Sequence, residues 1–249
     1  FYHSKILVQN FNIKLIISFQ LDEIKMSLLE NYQNDYSYEI GMDEAGRGPL
    51  FGRLYVAAVI LPKGTNFRHD WMKDSKKFHS KKKIKEMSEY IKENAIAWSI
   101  QYIEHDVIDN INIRESVHKG MHEAVKDIFQ NKHIDQEKAF LLIDGNHFKP
   151  FVHFNEESEE MECIPHQTIE GGDNKYSHIA GASILAKVAR DEYIQDLCTL
   201  NPELCERYKI QNNMGYGTKA HLEGILEHGI TQWHRKSYGR CKDAPLNMI

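Results

Sequence analysis

Two adjacent carboxylates, Asp43 and Glu44, stand directly before the turn Gly46-Arg47-Gly48-Pro49, and the chain then enters an unbroken apolar run from Leu54 to Leu61. Few folds accommodate that order. The run Leu-Tyr-Val-Ala-Ala-Val-Ile-Leu, closed by Pro62, reads as an apolar strand. Tyr38 to Met42 reads as the strand before it, which makes a hairpin with the acid pair at its tip. Neighbouring acids repel, so a strand end gains no stability from them. A hard cation does gain from them, and the glycine-rich turn can present a phosphodiester to that cation. The pattern predicts a metal-dependent nuclease.

Further along, Ser80 to Glu93 carries Ile84, Met87 and Ile91 at helical spacing. Ala95 to Ile103 alternates as a strand does, and Ile113 to Phe129 reads as a helix. Ala139 to Ile143 is a short buried strand ending at Asp144. Ile179 to Leu197 is a helix with small residues at its start. Thr218 caps a last helix that runs to Glu227 and is stopped by Gly229. Strands come first, then strands alternating with helices, then helices alone, which predicts an α/β fold with a mixed sheet.

Asp144 follows an apolar strand and precedes a glycine, and Asp173 follows Gly171-Gly172. In isolation either aspartate most often caps a helix or closes a turn. Together with Asp43 and Glu44 they make four carboxylates at strand ends or glycine-flanked turns. That is the donor set of a two-magnesium site, where oxygen ligands hold ions that grip both the attacking and leaving oxygens at phosphorus.

The 249 residues carry a net charge of −5 and are 41% hydrophobic, enough for a real core. An acidic balance does not exclude nucleic acid, because bound cations reverse the local sign. Seven lysines fall between Lys73 and Lys85, and five glutamates between Glu156 and Glu162. The glutamate run is expected to be an exposed loop, and Lys81 to Lys85 a solvated helix face. Cys163, Cys198, Cys205 and Cys241 form no C-x-x-C pair and read as reduced thiols of an intracellular, cytoplasmic protein, with Cys198 and Cys205 on one helical face. Residues 1–30 read as a leader, with Met26 as a candidate start and a targeting extension as the alternative; residues 31–249 read as one catalytic domain. The apolar segments of the leader are too short to span a membrane.

The segment Gly41-Met42-Asp43-Glu44-Ala45-Gly46-Arg47-Gly48-Pro49-Leu50 resembles the opening motif of type 2 ribonuclease H, the bacterial ribonuclease HII family. The resemblance continues through Asp74-Ser75-Lys76-Lys77, Asn112-Ile113, Ile143-Asp144-Gly145 and Gly172-Asp173. It then takes in Ile179 to Asp191, Gly215-Tyr216-Gly217-Thr218 and His234-Arg235-Lys236-Ser237-Tyr238, and so spans Tyr38 to Arg240. It implies a ribonuclease-H-like mixed sheet flanked by helices, with a helical C-terminal part. It implies an endonuclease acting on RNA–DNA hybrids and on ribonucleotides embedded in duplex DNA. Cleavage would fall 5′ to the ribonucleotide and leave 3′-hydroxyl and 5′-phosphate ends. The metal-binding and catalytic carboxylates would be Asp43, Glu44, Asp144 and Asp173, holding two Mg2+ or Mn2+ ions, with Asp191 in a supporting position.

The 2′-hydroxyl distinguishes RNA from DNA. The turn Gly46, Arg47, Gly48 can bring its backbone close to that hydroxyl, because glycine leaves no side chain in the way. Tyr216 is expected to stack on the adjoining deoxynucleotide sugar, and Arg47, Lys76 and Lys77 to contact phosphates. Departures from the family pattern are Arg53 for proline, Gly171 for lysine, Gly181 for alanine and Tyr238 for phenylalanine. None removes a carboxylate. His118 and His122 have a zinc-compatible spacing but no evident third ligand, so a structural role is expected. Two rivals are another four-acid nuclease that cuts DNA ends and a non-catalytic nucleic-acid-binding module. A monomer is the default.

Overall fold

The computed structural model describes residues 28–132, 134–155 and 158–249. Of the leader reading of residues 1–30, positions 1–27, with the candidate start at Met26, lie outside the described residues. Leu28 packs on the domain, and Leu29 exchanges backbone hydrogen bonds with the 175–177 segment at 2.8 and 3.0 Å.

Five strands form the main sheet: β1 (Tyr38–Ala45), β2 (Leu54–Ile60), β3 (Ala97–Ile103), β4 (Ala139–Asp144) and β7 (His166–Ile169). Their order is β3-β2-β1-β4-β7. The β1–β2 and β2–β3 pairs are antiparallel, and β1–β4 and β4–β7 are parallel. The sheet is mixed, as its sequence pattern predicts. Alternation along the strands sorts side chains to two faces. Ile40 and Met42, Val56 and Ala58, and Leu141 and Ile143 all join one core. Helix α2 (His105–Lys132) covers that core with Met121, Val125 and Ile128. On the other face Ala57, Val59 and Leu61 pack against α1 (Lys81–Asn94) and α3 (Ser177–Leu200).

Ser80 caps α1, accepting from Lys83 N–H. Helix α2 begins eight residues before the predicted start, and Asn112, at φ 70° and ψ 166°, interrupts it. Helices α4 (Glu203–Tyr208), α5 (Ile210–Asn213) and α6 (Lys219–His228) build the C-terminal part around Phe51, Ile194, Leu204 and Tyr208. Thr218 caps α6 and Gly229 ends it at φ 75°, as expected.

Three expectations need correction. The acid pair is not at the hairpin tip: Asp43 and Glu44 are still in the β1–β2 ladder, opposite Ala57 and Val56. Glu156 and Glu157 of the glutamate run lie outside the described residues, and the rest is not simply a loop, since Glu160 to Cys163 is strand β6, paired with β5 (Val152–Asn155). Cys198 and Cys205 belong to α3 and α4 rather than to one helix, because the chain breaks at Asn201-Pro202. All four cysteines are free thiols. Among the described residues no helix is long and apolar enough to cross a membrane.

Candidate active site

The parallel strands β1 and β4 bring the first carboxylates together. Met42 pairs with Ile143, so the next step of the register sets Asp43 beside Asp144. Strand β7 runs parallel to β4 and ends at Ile169, and a left-handed Gly171 (φ 61°) turns the chain into the short helical turn that carries Asp173. The carboxyl ends of adjacent parallel strands are where open α/β sheets place their sites. Gly172 N–H donates to Asp144 Oδ1 at 2.7 Å and ties the two turns together.

Asp43 and Asp173 are buried, and Glu44 and Asp144 are half-buried. Burial, and then the charges of Glu44 and Asp144, raise the Asp43 carboxyl well above the usual carboxylate range; a hydrogen bond from Ser183 offsets part of this. Burial raises Glu44 against the opposing pull of Arg47, whose guanidinium lies 3.3 Å away. Burial, then Asp74 and Asp144, raise Asp173. Asn174 Nδ2 bridges Asp74 and Asp173, donating to Asp74 Oδ2 at 3.3 Å and to Asp173 Oδ1 at 2.9 Å. Lys76 stands among these acids: burial works against its charge, but Asp74, Asp173, Asp43 and Asp144 together hold its ammonium up. Among the described residues no three acid, imidazole or thiol groups converge on one metal-sized point. The chemistry of the donors fits a hard divalent cation, since mutually repelling, partly desolvated carboxylates are what such a cation neutralises.

The Gly46-Arg47-Gly48 turn lies at the end of β1 and is held from behind. Gly46 has φ 101°, and a Cβ there would lie 2.3 Å from Arg190 Nε. The fully buried Arg235 donates through Nη2 to Gly46 O at 2.7 Å, through Nη1 to Arg47 O at 3.1 Å and through Nε to Gly52 O at 2.9 Å. Tyr238 adds its hydroxyl to Arg47 O at 3.2 Å. In a trans peptide the N–H points opposite the C=O. Carbonyls drawn toward Arg235 therefore turn the Arg47 and Gly48 amides away from it. Tyr216, 49% exposed, sets its ring edge 3.5 Å from where a Cβ on Gly48 would be. Its turn is hydrogen-bonded to the same loop through Leu50 N–H and Gly215 O at 2.9 Å.

The Ribonuclease HII family model matches residues 40–241 of this chain. The ribonuclease HII of Parabacteroides distasonis is 40% identical over 211 residues, covering 85% of this chain and 94% of its own. The chain belongs to the ribonuclease HII family. It is a ribonuclease H, a hydrolase of phosphodiester bonds. Among solved structures, ribonuclease H2 from Pyrococcus horikoshii OT3 shares the fold with a TM-score of 0.60 at 20% identity, over 82% of this chain and 95% of that one. Bst-RNase HIII, solved in complex with Mn2+, shares it with a TM-score of 0.53 at 16% identity, over 85% of this chain and 70% of that one.

Within this ribonuclease HII fold, the residues singled out from sequence fall into one region. The acids cluster, Lys76 reaches them, and Gly46 to Gly48 and Tyr216 form the adjoining rim. Lys77 is turned to Asn174 Oδ1 and is exposed. Asp191 pairs with Lys187 on α3. His118 and His122 take the structural role: His122 Nε2 donates to Lys149 O at 2.7 Å, and His118 Nδ1 accepts from Lys149 N–H at 3.4 Å. Asp74, Ser183, Arg190 and Arg235 also touch or brace the site. All four lie in the recognised motifs, but nothing in their spacing tells which of them turn inward.

Proposed function

We propose that this ribonuclease HII is an endonuclease that cuts RNA paired with DNA and nicks duplex DNA 5′ to an embedded ribonucleotide, leaving 3′-hydroxyl and 5′-phosphate ends. The observation that carries this reading is the acid cluster at the carboxyl ends of β1 and β4, flanked by an amide-bearing Gly46-Arg47-Gly48 turn. Asp43, Glu44, Asp144 and Asp173 would hold two divalent cations, Mg2+ or Mn2+, which when bound neutralise charge on the attacking and leaving oxygens of an in-line displacement. Support for the metal class comes from the donor chemistry and from the Mn2+ complex of Bst-RNase HIII.

The remaining roles belong to the chain. The outward amides of Arg47 and Gly48 approach the 2′-hydroxyl and adjoining phosphate of the ribonucleotide. Tyr216 offers its exposed ring to the sugar on the DNA side of the junction, where a residue bearing a 2′-hydroxyl fits less well. Arg47, Lys76 and Lys77 fix the backbone register without reading sequence. In the reaction water attacks phosphorus, the bond to the 3′ oxygen breaks, and that oxygen takes a proton. The reading takes the protein as a monomer at work inside the cell, consistent with four free thiols.

The test is a DNA duplex carrying one ribonucleotide, run beside the all-DNA duplex with Mg2+ or Mn2+. A single nick 5′ to the ribonucleotide, lost in Asp43→Asn and weakened in Tyr216→Ala, is expected. Equal cutting of the all-DNA duplex, or tight binding without cutting, would refute the assignment.

A further inference from the structure

Behind the Tyr216 turn lie two buried imidazoles, His221 of α6 and His234 of the segment that precedes Arg235. Their hydrogen bonds determine where each proton sits. Thr231 N–H and Thr231 Oγ1 both lie 2.9 Å from His234 Nδ1; the amide can only donate, so that nitrogen is an acceptor and the hydroxyl faces it as a second donor. Neutral His234 therefore carries its proton on Nε2. His234 Nε2 lies 3.0 Å from His221 Nε2, which must then accept. His221 is left with its proton on Nδ1, and Nδ1 lies 2.9 Å from the Tyr216 carbonyl oxygen. Only one order of donors and acceptors satisfies all three contacts. Burial keeps both rings neutral, pushing His234 down to about 3 and His221 in the same direction.

The chain of bonds ends on a strained piece of backbone. Met214 and Gly215 both have positive φ, 53° and 82°. A Cβ at Gly215 would stand 3.0 Å from Phe51 Cβ. Left-handed non-glycine backbone costs free energy, so the turn needs external ties to keep one conformation. Thr218 N–H supplies a local one to the same Tyr216 carbonyl at 2.7 Å. His221 supplies the only one recorded among the described residues that reaches that carbonyl from the helix body. At the other end, His234 forms a backbone bridge with Phe51 and packs its ring edge-on at 5.0 Å. The same segment thus touches both the Tyr216 turn and the loop that continues from Gly46-Arg47-Gly48.

We propose that His221 and His234 form a one-directional hydrogen-bond relay, anchored at the Thr231 amide, that positions the Tyr216 turn against the substrate-reading loop. They are positioning residues, since neither is placed to touch the nucleic acid. The inference rests on the reading of Tyr216 as a substrate contact.

Two measurements test it. Two-bond 1H–15N correlation of the histidine rings in the intact wild-type protein at neutral pH is expected to show His234 protonated on Nε2 and His221 on Nδ1. Either ring in the opposite tautomer overturns the relay, whatever the activity. Kinetics on the single-ribonucleotide duplex then separate positioning from packing. His221→Gln loses the Nδ1 donor and is expected to raise KM roughly three- to tenfold, the scale of one hydrogen bond, with kcat nearly kept. His221→Asn places an amide N–H where Nδ1 stood and is expected to recover most of that loss. In a Tyr216→Ala background the two variants should be indistinguishable. Equal losses in both variants, or a His221→Gln effect that adds in full to Tyr216→Ala, would overturn positioning through Tyr216. A silent Tyr216→Ala would remove the substrate contact on which the inference rests, while leaving the tautomers as an independent result.

Discussion

Replacing Asp43 by asparagine keeps the shape and removes one charge from a group of repelling acids. Its carboxyl is raised by burial and then by Glu44 and Asp144. Two opposite effects are expected from one change. Cleavage should fall by at least ~100-fold, the scale seen when one electrostatic contact of a transition state is lost. The metal-free protein should melt a few degrees higher, because the repulsion is relieved. Calorimetry beside the nicking assay checks both, and lower stability of the variant without metal would argue that Asp43 is structural. His178 gives a pH prediction. Burial, then His69 and Lys63, push its imidazole down to about 3. Its folded pKa is depressed below the ordinary value near 6.5, so stability is fully present above pH 6.5. It is lost as pH falls from there toward 3, by an amount on the order of a few kcal/mol. His178→Asn should flatten urea-derived stability across that window, and an unchanged pH slope would contradict the assignment.

At the scale of elements, the placing of the acids depends on how closely α3 lies on β1. A Cβ on Gly41 would stand 2.2 Å from the backbone carbon of His178. Backbone cannot swing aside as a side chain can, so Gly41→Ala forces the helix off the strand. The expected cost is ~3 kcal/mol, at the upper end for overpacking, with loss of activity, since Ser183 on that helix contacts Asp43. A near-native melting temperature for Gly41→Ala would disprove the contact. Strands β1, β2 and β4 and helices α1, α3 and α6 were legible, because their apolar periods are long and their caps sit in the expected places. Strands β5, β6 and β7 were not. Each has four residues, rich in polar or charged side chains, and each gains strand structure only from its partner.

For the whole molecule, the four candidate acids sit on a hairpin, a parallel pair and a turn. A ligand that binds the folded state alone raises its stability by mass action. Mg2+ or Mn2+ at about 100 times its Kd should add about 2.7 kcal/mol, or roughly 5–10 °C at this chain length. The shift should vanish in Asp173→Asn and Asp144→Asn, read by differential scanning fluorimetry over a metal titration. An equal shift in those variants would place the cation elsewhere.

Sequence by itself determined the mixed α/β class, the two strands on either side of the first acid pair and the candidate acids, because those depend on local period and on glycine, proline and carboxylate chemistry. It also carried the family, through motifs in order from Gly41 to Tyr238. Only the tertiary structure decided that Asp43 and Glu44 lie within the ladder rather than at its tip, because the turn occupies residues 46 to 53 and the pairing persists to Ala45. Only it brought Asp74 and Lys76 among the acids, Arg235 behind the glycine turn, and His234 onto His221. Those contacts join residues from 13 to 189 positions apart, separations that packing of the chain closes and no helical or strand period encodes.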